Sequence, residues 1–208
     1  MAGAPVATDS WPTRELILLA ASRRFATRGY LGTSTREIAA DVGIRQPSMY
    51  SHFASKQAIA EELLRRDLSA GIDALERCLA LGGTPAVQLY RYLVWEVRHV
   101  RDAVFDLRAL YLGEILELPE FEEGRRLLAA YDALLVGIVR RGVIERDFAD
   151  VDVAFAKQAS DAIVNEAIRG GDDVRHDPDQ AASFVVRALL RAQSRLGALR
   201  TAARRSAL

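Results

Sequence analysis

The sequence predicts an all-α protein of nine helices in two parts, a three-helix head and a larger helical body. Apolar residues recur at spacings of three and four along most of the 208 residues, which is the period of an amphipathic helix. Alternation of β-branched with polar residues, the pattern of a strand, is scarce. Glycines, prolines and capping residues divide the chain into segments of helical length.

The head is predicted from local signals at the ends of its helices. A first helix covers about 13–27. Ser34 and Glu37 have the spacing of a capping box, so they mark the start of a second helix at 35–41. Pro47 lies in the first turn of a third helix, where its missing N–H costs nothing.

The body is predicted as six further helices that are separated by glycine, proline and aspartate turns. They cover about 56–81, 85–101, 103–117, 120–141, 151–169 and 179–199. The breaks follow Leu81 and fall at Asp102, Leu118-Pro119, Gly142, Gly170-Gly171 and Asp177-Pro178. The predicted domains are a flexible arm at 1–12, the head at 13–57, the body at 58–199 and a tail at 200–208.

Composition indicates a protein that stays in the cytoplasm. Half of the residues are hydrophobic, but no apolar run approaches 18 residues, so a membrane span is not expected. The N-terminus lacks a basic region followed by an apolar stretch, so a secretory signal is not expected either. Cys78 is the single cysteine, which suits a reducing compartment. We interpret its thiol as a small buried filler, with a redox sensor as the alternative.

The charge is balanced over the whole chain but unevenly distributed. Residues 1–60 carry a net charge of +3, and the remainder carries −3. A basic head on an acidic body can bind phosphates, because association responds to the local field.

The segment 35–50 has the pattern of a helix-turn-helix. Gly43 supplies the positive φ that the tight turn needs, and Ile44 fills the angle between the two helices. Ala39 is small enough for the two helices to cross closely. In this motif the second helix enters the DNA major groove. The alternative is a three-helix bundle without a DNA role, which does not explain why polar residues cluster on the third helix.

The head resembles the DNA-binding region of the TetR family of transcriptional regulators. The resemblance rests on Gly29-Tyr30, Thr33-Ser34-Thr35-Arg36-Glu37-Ile38-Ala39, Val42-Gly43-Ile44 and Ser48-Met49-Tyr50-Ser51-His52-Phe53-Ala54-Ser55-Lys56. It covers residues 13–60 closely and the rest of the chain loosely, through length and helix count. It implies a repressor that binds a palindromic operator in double-stranded DNA as a homodimer and is released by a small-molecule inducer.

Ten residues of the head are expected to contact DNA: Ser34, Thr35, Arg36, Arg45, Gln46, Pro47, Ser48, Tyr50, His52 and Lys56. The first three lie at a helix N-terminus, where free N–H groups and a hydroxyl can hold a phosphate. Residues 45–48 lead the third helix and are the candidate base readers, since Gln suits adenine and Arg suits guanine.

The remaining three are expected to contact the DNA backbone. The family resemblance implies this role for Tyr50 and His52, and Lys56 adds a phosphate contact at the start of the fourth helix. Pro47 departs from the family pattern, because this position often has a backbone N–H. Tyr30 and Phe53 are interpreted as core residues of the head.

The last two predicted helices have apolar stripes suited to a four-helix dimer interface. The expected interface residues are Ala159, Ala162, Ile163, Phe184, Val185, Ala188, Leu189, Ala192 and Leu196. Small residues let a partner helix approach closely, and a two-fold dimer places two reading heads about 34–36 Å or somewhat more apart. The alternative is that both helices only complete a monomer core.

The inducer pocket is predicted from aromatic and polar residues of the body: Trp95, His99, Tyr111, Tyr131, Phe155 and Asn165. An aromatic cavity with a few polar groups suits a small, largely hydrophobic ligand. The alternative is that these residues are ordinary core. Inducer binding among the fifth to eighth helices is expected to move the fourth helix and so change the spacing of the heads.

Enzyme and metal functions are not predicted. The three histidines, His52, His99 and His176, lack metal-ligand spacing, and the chain has no nucleophile elbow, P-loop or dinucleotide glycine pattern. A solvated acidic loop is the interpretation of 170–177, with a cation site as the alternative. Other functions left open are a helical small-molecule carrier, an adaptor and a transcriptional activator with the same head.

Overall fold

The computed structural model describes residues 10–107, 110–111, 114–169, 177–205 and 208. These residues form nine α-helices, three short 3₁₀ helices and no β-strand. The α-helices are α1 (Thr13–Arg28), α2 (Thr35–Val42), α3 (Gln46–Tyr50), α4 (Lys56–Ala80), α5 (Pro85–Arg101), α6 (Glu122–Ile144), α7 (Val153–Arg169), α8 (Pro178–Leu189) and α9 (Leu196–Arg204). The 3₁₀ helices are Glu114–Glu117, Pro119–Phe121 and Gln193–Arg195. The predicted all-α architecture is confirmed.

The chain forms two compact units. Among the described residues, the head unit contains 10–69 and 103–129, and the body unit contains 70–102 and 130–208. Helices α4 and α6 each begin in the head unit and end in the body unit. The predicted head domain, 13–57, lies wholly within the head unit. Most of the predicted arm and of the predicted acidic loop, including His176, lies outside the described residues.

The head unit has its own hydrophobic core, to which α1, α2, α3 and α4 contribute. The fully buried side chains include Ile17, Leu18, Phe25, Ile38, Met49, Ile59, Leu63 and Phe121. Phe53 is buried as expected, and the ring of Tyr30 packs 5.5 Å from that of Phe25 and 5.3 Å from that of Phe121. These two aromatic residues therefore belong to the core that positions α2 and α3.

A cluster of ion pairs joins α1 to the first half of α4. The Glu62 carboxylate accepts hydrogen bonds from Arg14 at 3.1 Å and from Arg65 and Arg66 at 2.8 Å. Arg66 also donates to Glu15 at 2.7 Å. Burial of Glu62 opposes its ionisation, but the hydrogen bonds from the three arginines outweigh burial and lower its pKa to about 2. Arg14, Arg65 and Arg66 are thus used in ion pairs inside the head unit.

The core of the body unit surrounds α5, which packs against α7, α8 and α9. The buried Arg91 side chain donates to the carbonyl of Gly82 at 2.8 Å and to the carbonyls of Ala202 and Ala203 at 3.3 Å. Carbonyls at a helix C-terminus lack intrahelical partners. Arg91 supplies those partners for α9 and fixes that helix onto α5.

The predicted helix at 103–117 is the clearest difference in the middle of the chain. Residues 103–107 are not helical, and Glu114–Glu117 is a 3₁₀ turn. Leu110 and Ile115 are buried as separate anchors in the head core. The described residues of this segment are helical only at 110–111, so they support the predicted helix there and not at 103–107 or 114–117.

The predicted helix at 179–199 is divided in two. At Leu190 the backbone turns to an extended conformation and forms an isolated bridge with Phe148. The N–H of Ala149 donates to the Leu189 carbonyl at 2.8 Å, and that of Arg191 donates to the Asp147 carbonyl at 3.1 Å. These long-range hydrogen bonds replace helical ones and end α8.

The C-terminal boundaries also differ from the prediction. Residues 200–204, expected as tail, continue α9, and Ala203 is buried. Gly142, expected to end a helix, lies inside α6 and is buried. A Cβ at Gly142 would overlap the ring of Phe148. This glycine is therefore needed for close packing and not for a turn.

Candidate DNA-binding site

Helices α2 and α3 form a helix-turn-helix whose turn is at Gly43. Gly43 has φ 73° and ψ 21°, the left-handed conformation expected from the sequence. The N–H of Ile44 donates to the Ala39 carbonyl at 3.0 Å. Ile38, Ala39 and Met49 face the core, so the opposite faces of both helices are left for solvent or DNA.

The N-terminus of α2 has a complete capping box. The Ser34 hydroxyl accepts from the N–H of Glu37, and the Glu37 carboxylate accepts from the N–H of Ser34 at 2.9 Å. Hydrogen bonds from Ser34 hold the pKa of the Glu37 carboxyl below its usual value. Ser34 is exposed as a phosphate ligand must be, but its hydroxyl already has a partner.

Arg24 and Arg28 of α1 neutralise the acidic groups of α2. Arg24 contacts Asp41 through two nitrogens, one at 2.7 Å, and Glu37 at 3.2 Å. Arg28 contacts Glu37 at 2.9 Å. The Arg24 hydrogen bond lowers the pKa of Asp41. These pairs fix α1 against α2 and neutralise the charge of both arginines, although the Arg28 side chain is 60% exposed.

Arg36 and Arg45 supply the exposed positive charge of the motif. Arg36 lies in the first turn of α2, and Arg45 directly precedes α3. Both side chains are exposed, and neither makes an ion pair within the described part of the chain. Pro47, Ser48 and His52, which follow Arg45 in the sequence, are exposed as well. We call the exposed surface formed by Arg36, Arg45, Pro47, Ser48 and His52 the basic face.

Gln46, Thr35 and Tyr50 form a polar cluster beside the basic face. The Gln46 amide nitrogen donates to the Thr35 hydroxyl at 2.9 Å and lies 3.5 Å from the Tyr50 hydroxyl. The two hydroxyls are 3.4 Å apart. This cluster joins the start of α2 to both ends of α3. The sequence did not predict it, although Gln46 and Tyr50 are four residues apart on one helix.

Lys56 is placed differently from its predicted role. Its ammonium donates to the carbonyls of Tyr30 and Thr33, both at 2.7 Å, and lies 4.3 Å from the centre of the Tyr30 ring. Burial lowers the pKa of Lys56. Two of its three hydrogens are therefore used to hold the loop between α1 and α2, and its predicted phosphate contact stays a prediction.

The expected dimer residues divide into two groups. Val185, Leu189 and Leu196 are buried in the core of their own body unit, so they cannot form the surface of an interface. Ala162, Phe184, Ala188 and Ala192 are exposed, while Ala159 and Ile163 are half-buried. The apolar stripe of α8 is wide because it includes residues that are buried in the core, such as Val185, and residues that are exposed, such as Phe184.

The expected pocket residues do not all meet. Trp95, His99 and Tyr131 lie in the body unit, where the Trp95 and His99 rings stack at 4.6 Å. Phe155 and Asn165 are exposed on α7. Tyr111 lies in the head unit and donates to Asp67 at 2.7 Å.

The body unit has polar groups that the sequence did not indicate. The Tyr92 hydroxyl donates to that of Tyr131, which donates to the Glu96 carboxylate, both at 2.7 Å. Burial raises the pKa of both tyrosines, so their hydroxyls stay protonated and can donate. Only the four-residue spacing of Tyr92 and Glu96 could have suggested this chain of hydrogen bonds.

A second polar group of the body unit joins α6 to α7. Lys157 contacts Asp132 at 2.7 Å and Asp161 at 2.6 Å. Burial raises the pKa of Asp161, and its hydrogen bond from Lys157 opposes that effect.

Neither a membrane-spanning helix nor a metal-ligand cluster occurs among the described residues. None of their helices is long and apolar enough to cross a membrane. No group of three or more histidine, cysteine or acidic residues among them could hold a metal ion.

The fold and the exposed helix-turn-helix define a DNA-binding regulator of transcription. The family described as bacterial regulatory proteins, tetR family, matches residues 17–63. The HTH-type transcriptional repressor KstR2 of Rhodococcus jostii is 32% identical over 146 residues, 68% of this chain and 71% of that protein. KstR2 of Mycolicibacterium smegmatis is 29% identical over 158 residues, 71% of this chain and 76% of that protein.

A solved structure supports the same assignment over nearly the whole chain. Mycobacterium smegmatis AmtR shares the fold with a TM-score of 0.79 and 26% identity, covering 98% of this chain and 99% of AmtR. The chain belongs to the TetR family. It is a helix-turn-helix transcriptional repressor and not an enzyme.

Proposed function

We propose that this repressor binds a palindromic operator as a homodimer through its basic face, and that a small, largely hydrophobic ligand in the body releases it. The observation that carries the DNA-binding part is the pair of exposed, unpaired cations Arg36 and Arg45. Arg24 and Arg28 of α1, which contact α2, are neutralised within the head unit. Arg36 and Arg45 therefore dominate the local electric field at the motif.

The proposed contacts separate into those that position the protein and those that read sequence. Phosphate contacts set affinity, while only base contacts carry sequence information. We assign Ser34, Arg36, Tyr50, His52 and Lys56 to phosphates. Arg45, Gln46, Ser48 and Pro47 stand at the N-terminal end of α3, the end of a recognition helix that meets base edges.

The proposed dimer interface uses the exposed sides of α7 and α8. Phe155 and Phe184 are 70% and 65% exposed. Small residues accompany them, namely Ala159, Ala162, Ala188 and Ala192. Aromatic residues are enriched at protein interfaces, and small neighbours allow close helix approach. A two-fold dimer presents two heads to two half-sites.

Phe184→Glu is expected to convert the dimer to monomer. The substitution places a charge in an apolar interface, while the side chain is exposed within its own chain and contributes little to folding. Sedimentation velocity at micromolar concentration measures the change. Ile144→Glu, at a position 72% exposed in the same unit, is the matched control and leaves the dimer intact. An F184E variant that remains a dimer with wild-type affinity contradicts this interface.

The proposed ligand site lies in the body unit, near the aromatic and hydroxyl groups of α5 and α6. Regulators of this family bind small-molecule effectors. Trp95, His99 and Tyr131 are half-buried aromatic residues, and the Tyr131 hydroxyl is fixed by hydrogen bonds. Such a set suits a largely apolar ligand with one polar end. Helix α4 is continuous from Lys56 to Ala80, so a ligand that displaces its body portion also acts on its head portion.

Coupling between ligand and DNA is tested with any compound that binds the body. Apolar small molecules are first selected by the rise in melting temperature that they cause. Each is then titrated against the protein bound to its operator. Release of DNA is expected, because the two binding equilibria share a coupling free energy. Unchanged operator affinity with every ligand that binds contradicts the induction mechanism and leaves the DNA-binding proposal standing.

A further inference from the structure

We propose that Thr35 is a positioning residue for sequence recognition, and that with Tyr50 it holds the Gln46 amide so that Gln46 selects bases with an exocyclic amino group in the major groove. The inference rests on the proposed role of Gln46 as a base reader. It assigns to Thr35 a role different from the phosphate contact expected from its place at a helix N-terminus.

The geometry of the polar cluster directs one end of the amide inward. The Gln46 nitrogen donates to the Thr35 hydroxyl at 2.9 Å and has the Tyr50 hydroxyl 3.5 Å away. Thr35 and Tyr50 are themselves 3.4 Å apart, so both acceptors stand on the nitrogen side. Within the described part of the chain, no donor meets the Gln46 carbonyl oxygen. That oxygen is the free end of the amide.

A side chain held in this way presents only an acceptor to DNA. A free glutamine can turn its amide and either donate or accept, so it can contact any base. In the major groove the donors are the amino groups of adenine and cytosine, whereas guanine and thymine present acceptors at the corresponding positions. An outward carbonyl oxygen therefore favours adenine or cytosine, and it repels the oxygen of guanine or thymine.

The position of Thr35 favours this role over a phosphate contact. The Thr35 side chain is half-buried and its hydroxyl is occupied by Gln46, whereas the adjacent Arg36 is exposed and unpaired. Fixing the amide before binding also reduces the ordering that the complex requires. Thr35 thus acts through Gln46 and needs no DNA contact of its own.

The test compares base preference in wild type, Thr35→Val, Thr35→Ser and Gln46→Ala. Fluorescence anisotropy is measured on operator duplexes that carry each of the four bases at every half-site position, and on a duplex of scrambled sequence. Valine matches threonine in shape and lacks the hydroxyl, whereas serine keeps it. Thermal unfolding of each variant verifies that the head remains folded.

The expected result is a single half-site position where wild type prefers adenine or cytosine at least about fivefold. Gln46→Ala abolishes that preference. Thr35→Val reduces it to less than about twofold, with unchanged affinity for scrambled DNA and unchanged salt dependence, and Thr35→Ser restores it. Tyr50→Phe weakens the preference partly, because its hydroxyl is the more distant acceptor.

Three results overturn the inference. If Thr35→Val weakens binding to all sequences alike and lowers the salt dependence of affinity, Thr35 is a phosphate ligand. A preference for guanine or thymine that depends on Gln46 means that the amide faces the other way. If the base preference is lost in Gln46→Ala but kept in Thr35→Val, Gln46 still reads the base, and Thr35 does not position it. Failure of the proposed function is distinct, since Gln46→Ala then changes no base preference at all.

Discussion

Replacing both Arg36 and Arg45 with alanine is expected to weaken operator binding by at least about 100-fold. A base contact from arginine contributes about 1–3 kcal/mol, and a phosphate contact adds a further, salt-dependent part. Neither side chain is used in an ion pair within the described chain, so folding should be unaffected. Anisotropy with a fixed operator duplex, together with thermal unfolding, measures both properties.

The two single variants should differ in kind. Arg45→Ala is expected to relax preference at one base pair, while Arg36→Ala weakens all sequences alike and lowers the salt slope by about 1. Arg23→Ala, which removes the same charge from an exposed position of α1, is the matched control and should bind within about twofold of wild type. A double variant that binds as tightly as this control contradicts the basic face as the DNA-binding surface.

Phe148→Ala is expected to give the largest loss of stability, about 3–5 kcal/mol, because it removes a buried aromatic ring. Phe148 is 1% exposed, and its ring fills the space left by Gly142 of α6. Its N–H also donates to the Gly142 carbonyl at 2.9 Å. Ile144→Ala, at an exposed position close by, should cost no more than about 0.5 kcal/mol.

A second substitution makes this packing argument sharper, because its sign depends on Phe148. Gly142→Ala alone should destabilise the protein by about 1–3 kcal/mol, since the added methyl group overlaps the ring. In the Phe148→Ala background the same change should stabilise by up to about 1 kcal/mol, the ordinary gain from glycine to alanine inside a helix. Urea unfolding of the four proteins measures both effects. A loss of equal size in both backgrounds contradicts the contact.

The helix-turn-helix could be predicted from sequence because its determinants are local. Ser34 and Glu37 form the capping box that their three-residue spacing indicated, and Gly43 has the positive φ that the turn required. Each of these features depends on residues only a few positions apart. Local chemistry was therefore enough to place α2, the turn and the start of α3.

Features that depend on distant contacts could not be predicted. The end of α8 at Leu189 is set by hydrogen bonds from the segment 147–149, about 40 residues away in the sequence. Gly142 signalled a helix end by its type, but its role depends on Phe148 folding back over it. The spacing of apolar residues indicates that a helix has an apolar face, but it does not indicate which segment packs against that face.

The candidate site shows the same division. The predicted DNA contacts of Arg36, Arg45 and Lys56 stay predictions. Arg36 and Arg45 are exposed, whereas the Lys56 ammonium donates to the Tyr30 and Thr33 carbonyls, a contact that the sequence did not indicate. In α8, Val185 and Leu189 point into their own core while Phe184 is exposed. The apolar stripe contained both kinds of residue, and sequence alone could not separate them.

The central claim, that the head reads DNA through its basic face, is tested most directly by a salt titration. Binding of the full-length protein to the DNA upstream of its own gene is compared with binding to a scrambled duplex as salt is raised. We predict tight, specific binding to the upstream DNA whose affinity falls steeply and linearly with the logarithm of salt concentration. Equal, weak binding to both duplexes at every salt concentration would contradict it.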